Sequence, residues 1–83
     1  MKMKYMVVPG KPKRFMLYFE TISENKVFIE KDKNYNVFVV SAGLNPKMLK
    51  AYGIVEKLNN ATIFAKNIVG EINDTHNLLM EQR

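Results

Sequence analysis

Covalent and metal chemistry require particular side chains to converge, and this sequence supplies few of them. It has no cysteine, which removes thiol nucleophiles, thiolate metal sites and disulfides. His76 is its only histidine; Glu71 and Asp74 lie close in sequence, but their spacing does not converge on a metal or an acid–base centre. Ser23 and Ser41 fall in turn-like segments with no base nearby in sequence. Gly10, Gly43, Gly53 and Gly70 form neither a phosphate loop nor a dinucleotide fingerprint. Glu20 and Glu30 could share one strand face with Asp32 beside them. Lys26 and Lys31 sit among them, as on a solvated surface of mixed charge. These residues predict a protein that is not an enzyme and carries no metal or cofactor.

Charge is the more informative property. Lysine plus arginine number 13 and aspartate plus glutamate 8, giving a net charge of +5 in 83 residues. The first fourteen residues hold Lys2, Lys4, Lys11, Lys13 and Arg14 and no acid, whereas the last third is nearly neutral. A basic half of this kind suits a polyanion, and equally keeps a small protein soluble. Eleven of the thirteen cations are lysine. Lysine acts as a point charge toward phosphates, whereas arginine's planar fork reads guanine, so the composition favours backbone contact over sequence reading. No apolar run approaches the roughly 20 residues of a membrane span, and the basic start is not followed by a signal-like apolar stretch. The expected location is cytoplasmic, or intracellular in a host.

The most distinctive short segment is Pro9-Gly10-Lys11-Pro12-Lys13-Arg14. It resembles the core of an AT-hook, in which a Gly-Arg-Pro stretch lies in the minor groove. It departs from that pattern where Lys11 replaces the central arginine and Pro9 the preceding one. Asn60-Ala61-Thr62 and Asn73-Asp74-Thr75 match the glycosylation acceptor pattern, for which chance is a sufficient explanation among nine asparagines.

The elements that must position these residues divide the chain into a strand-rich part, 1–43, and a helical part, 45–81, within one domain. Short runs of β-branched and aromatic residues predict four strands, at about 3–8, 14–22, 26–31 and 35–41. Pro9-Gly10, Ser23 to Asn25 and Asp32 to Asn34 turn the chain between them, and such short links imply an antiparallel meander. Alternation puts Met3, Tyr5, Val7, Phe15, Leu17, Phe19, Val27, Ile29, Val37 and Val39 on a core face. The other face then carries Lys4, Met6, Val8, Met16, Tyr18, Glu20, Lys26, Phe28, Glu30, Asn36, Phe38 and Val40.

Asn45-Pro46 reads as a helix start, with Asn capping and Pro in the first turn. Ile54, Leu58, Ala61, Ala65, Ile68, Ile72, Thr75 and Leu79 follow at spacings of four and three, a seam continuous through Asn59-Asn60. The expectation is one long helix over about 46–80, with a break near 59–62 as the alternative. Unbroken, it is about 50 Å long, about twice the width of so small a domain. Its uncovered seam, at Ile54, Leu58, Ala61, Ala65, Ile68, Ile72 and Leu79, would pair with a second copy, most simply in a dimer.

An α+β fold of four antiparallel strands and a long helix, paired through that helix, is similar in topology to the Whirly-type single-stranded-DNA-binding domains and their coactivator relatives. The expected function is a small oligomeric nucleic-acid-binding protein acting on DNA or on single strands. Lys2, Lys4, Lys11, Lys13, Arg14 and Lys26 would hold phosphates, and Tyr18, Phe28 and Phe38 would stack on bases. The alternative is a protein-binding regulator or assembly factor, of the kind viruses and mobile elements encode, working through its helix or its second sheet face.

Overall fold

A computed structural model describes residues 1–82 of the chain. Five strands form one sheet: β1 (Lys4–Val7), β2 (Phe15–Glu20), β3 (Lys26–Asp32), β4 (Val37–Gly43) and β5 (Leu49–Val55). A single helix, α1 (Leu58–Glu81), follows. The strands are ordered β1-β2-β3-β4-β5 and every neighbouring pair is antiparallel, so the α+β meander is as expected, with one strand more.

The turns obey local rules. Pro9 and Gly10 occupy the centre of a tight turn in which the Lys11 N–H donates to the Val8 carbonyl at 3.0 Å, and Gly10 has φ +79°. That positive φ is open to glycine without strain. Val8 N–H donates to Arg14 O and Arg14 N–H to Lys11 O, so the segment that resembles an AT-hook is a loop tied back on itself. In the next hairpin the Thr21 hydroxyl donates to the Asn25 carbonyl at 2.6 Å.

The fifth strand replaces the first third of the expected long helix. Tyr52, Ile54 and Val55 favour extended backbone, and Gly53 is poor in a helix. Asn45 does cap a turn, its Oδ1 accepting from the Lys47 N–H at 2.9 Å, but the turn leads into β5. The helix begins after Lys57. The apparent seam ran from Ile54 to Leu58 only because a strand end and a helix start happened to stand four residues apart. From Leu58 onward the helix is continuous through Asn59-Asn60, with no break near 59–62.

At 24 residues, α1 is about 36 Å long. It lies on one face of the sheet, chiefly on β3 and β4, touches β2 and β5, and does not reach β1. Ala61, Ala65, Ile68 and Val69 are buried against Phe19, Val27, Ile29, Val40 and Ala42. The two alanines have no bulk to hold the helix off the strands. Asn73, two turns before the helix ends, ties α1 to the β2–β3 hairpin, its Oδ1 accepting from the Ile22 N–H at 2.9 Å. The central seam residues Ala61, Ala65, Ile68 and Ile72, expected to meet a second copy, thus pack on the protein's own sheet. Ile54 stands on β5, outside the helix altogether. The rod is thus shortened to 24 residues, and the middle of its seam is covered by the protein's own sheet rather than left for a second copy.

The face assignment is right for β2 and β3 and inverted for β4. Phe38, Val40 and Ala42 face the helix, while Val37 and Val39 face away. The cause is the turn. Asp32 pairs with Val37 across four residues that include Asn36 at φ 52°, so odd positions of β3 oppose even positions of β4. A two-residue slip would keep the faces; a one-residue change exchanges them.

Two glycines make opposite predictions. A Cβ on Gly70 would meet nothing within 4 Å, whereas one on Gly43 would fall 1.7 Å from the Met48 carbonyl oxygen. Gly70→Ala is expected to stabilise the helix by about 1 kcal/mol, raising the melting midpoint by several degrees. Gly43→Ala must open the β4–β5 connection and lower stability by roughly 2 kcal/mol. Thermal unfolding followed by circular dichroism checks both.

Candidate functional site

The sheet has two faces, and they treat cations differently. On the face away from the helix, Lys4, Tyr18, Phe28 and Ser41 stand in one cross-strand row. This brings three of the expected binding residues together. They do not form an open platform. Phe28 is 0% exposed, packed with Val8 and Met16 and flanked by Met6, Tyr18 and Leu49. The Tyr18 ring leans on it at 5.9 Å between centroids. This second small core covers its own aromatics.

Two cations bordering that face, Arg14 and Lys4, are also engaged. Arg14 donates through Nε and Nη2 to the two oxygens of Glu30, at 2.6 and 2.7 Å. Such a paired fork is the strong form of ion pair, and it raises the Arg14 pKa above its ordinary value, chiefly through the hydrogen bond to Glu30. Lys4 Nζ donates to Glu20 Oε1 at 2.6 Å. That contact raises the lysine and lowers the carboxyl, first through the hydrogen bond and then through charge. Both partners are exposed, so the pair contributes little to stability. Lys26 is half-buried at the opposite end of β3, opposite Glu20 across the ladder. Phe38 lies on the helix side, packed against the main core.

The helix-side face is different where α1 does not reach. Tyr5 opposes Leu17 and Val7 opposes Phe15, so these four share one corner. Tyr5 is 73% exposed, Phe15 62% and Val7 53%. Beside them runs a shallow groove of about 440 Å³, floored by Phe15, Leu17, Ile29 and Phe38. Lys13, Lys31 and Lys33 line it, and none of the three makes a salt bridge among the described residues. Glu30 also borders it, but its oxygens are held by Arg14. Asp32 is committed to the adjoining turn, accepting from the Asn34 N–H at 2.9 Å. Lys2 and Lys11 are exposed on the segments leading into β1 and β2.

The geometry therefore regroups the expected residues. Lys13 stays with an open apolar surface, while Lys4 and Arg14 are neutralised and Tyr18, Phe28 and Phe38 are packed. Tyr5, Phe15, Lys31 and Lys33 were not among the expected binding residues. Alternation gave Tyr5 and Phe15 their correct face. The missing signal was width: one helix cannot hide every residue on that side of five strands. Among the described residues there is no group of three or more histidine and carboxylate side chains that could hold a metal ion, and no helix is long and apolar enough to cross a membrane. In comparison with known proteins, the chain matches no family model, no curated protein and no solved structure.

The two ion pairs predict different outcomes on neutralisation. Glu30→Gln leaves a half-buried guanidinium without its carboxylate and is expected to lower stability by about 1 kcal/mol. Glu20→Gln leaves the melting midpoint at neutral pH essentially where it was. Whatever the Lys4–Glu20 pair adds is present between the carboxylate and lysine ranges. It is lost as pH falls through the lowered Glu20 pKa or rises through the raised Lys4 pKa. Melting measured across pH for both variants checks this.

Proposed function

We propose that this is a small, non-enzymatic nucleic-acid-binding protein that meets the phosphate backbone with the lysines at one end of its sheet. The supporting observation is the set Lys13, Lys31 and Lys33 around one apolar groove, without carboxylate partners, on a protein of net charge +5. Elsewhere on the sheet Lys4 and Arg14 are each paired with a carboxylate at 2.6 Å, whereas these three lysines gather at one groove without such a partner and make a local positive field. Lysines suit phosphates, and nothing in the groove supplies the bidentate fork that reads bases in a duplex, since the nearby Arg14 is held by Glu30. The reading is accordingly one of weak sequence preference and strong salt dependence.

A salt series with a labelled oligonucleotide tests it. Three phosphate contacts give a slope of log affinity against log salt of about −2 for single strands, and Lys31→Ala with Lys33→Ala reduces that slope by more than half. Binding that is absent at low salt, or indifferent to salt, removes the proposal.

A second reading, as a protein-binding regulator, is favoured by a separate observation. The helix outruns the sheet, leaving Leu79 60% and Met80 48% exposed beyond the last covered turn. If this tail is a working surface, Leu79→Asp lowers the solution mass or abolishes partner capture, with the melting midpoint unchanged because the residue lies outside the core. Light scattering on the wild type and the variant decides it: identical masses and identical partner binding set this reading aside.

A further inference from the structure

We infer that Tyr5 and Phe15 form a base-stacking platform, and that the polynucleotide taken at this corner is single-stranded. The inference rests on the nucleic-acid reading above and adds the class of strand to it. The two rings lie on neighbouring strands of one face, Tyr5 opposite Leu17 and Phe15 opposite Val7. They are therefore diagonal neighbours, about 7–8 Å apart across the ladder. Both are mostly exposed, at 73% and 62%, because α1 stops short of β1. Leu17, opposite Tyr5 and two residues along β2 from Phe15, is half-buried and apolar beside both.

An exposed aromatic pair on a sheet can serve several occupants, and charge selects among them. Lys13, Lys31 and Lys33 rim the adjoining groove. A second copy of this chain placed face to face would gather two such sets of lysines into one interface, which opposes association. A strand of nucleotides instead offers a phosphate for each lysine and an aromatic face for each ring. Duplex ends apart, the faces of paired bases are covered by their neighbours, so only unpaired bases can reach Tyr5 and Phe15. β1 has a strand on one side only, which leaves the platform open at its margin for a chain to run across it.

The test compares four probes of equal length at fixed low salt: oligothymidylate, oligouridylate, an abasic oligodeoxynucleotide and a DNA duplex. Wild-type protein is expected to bind at least one of the base-bearing single strands about tenfold or more tightly than the abasic strand and the duplex. The two base-bearing strands separate a deoxyribose from a ribose preference. Tyr5→Ala and Phe15→Ala are each expected to lower single-strand affinity by about five- to a hundredfold while leaving abasic binding unchanged. Tyr5→Phe and Phe15→Tyr keep most of it. Both side chains are exposed, so melting curves of the variants should overlay the wild type; a variant that melts early is replaced by Tyr5→Leu or Phe15→Leu, which keep apolar bulk without an aromatic face. Equal, salt-dependent affinity for all four probes, in wild type and variants alike, overturns the stacking inference and leaves phosphate binding standing. No binding to any probe at low salt overturns both.

Discussion

An α-helix with its side chains is about 10–12 Å across, whereas five strands spaced about 4.8 Å apart spread over roughly 19 Å between the outermost axes. A lone helix cannot cover such a sheet. α1 is centred on β3 and β4, where Val27, Ile29, Val40 and Ala42 give it the deepest apolar floor. Its line is set at one end by the short connection from β5 and at the other by Asn73 holding the Ile22 amide. Everything left over follows from that placement. The β1 margin on the helix side stays open, and the last helical turns project past the β2–β3 hairpin.

The opposite face solves the same shortage of covering layers in another way. No helix lies there, yet Met16 and Phe28 are buried, because large side chains of neighbouring strands close over one another and the loop from Val8 to Arg14 folds down beside them. The Arg14–Glu30 fork sits at the edge of this small core, where a guanidinium can lie over apolar neighbours while its charge is matched. A face that seals itself with aromatics has none left to offer a ligand. A face sealed by a helix that is too narrow has aromatics to spare. The exposed aromatic surface belongs to the second.

Much of this was legible in the residues, and the misses have specific causes. Pro9-Gly10 implied its turn, and the period-two pattern of β2 and β3 implied their buried faces, because both rules act within a few residues. The inversion of β4 depended on whether the turn after Asp32 held an even or odd number of residues, and one αL residue, Asn36, decided it. β5 was hidden because Tyr52, Ile54 and Val55 also fit a helical spacing, and only pairing with β4 distinguishes the two. The identity of the exposed aromatics required knowing where the helix ends laterally. That is a property of tertiary packing, with no counterpart in local spacing.

The placement of charge carries the remaining step. Net charge alone gave every basic residue an equal claim on a polyanion. The fold sets Lys4 and Arg14 apart by holding a carboxylate against each. Lys4 meets Glu20 across β1 and β2, and Arg14 meets Glu30 across the β2 edge, so both belong to the sheet's own cohesion. Lys31 stands on the helix-side face opposite Phe38, and Lys13 and Lys33, just outside the ends of β2 and β3, border the same apolar groove. A cation beside an apolar neighbour keeps its full field toward solvent. The same register that withdraws Phe28 into the outer face leaves Tyr5 and Phe15 exposed on the helix side, near lysines without a carboxylate partner, and the proposed polynucleotide role rests on that juxtaposition more than on the excess of lysine.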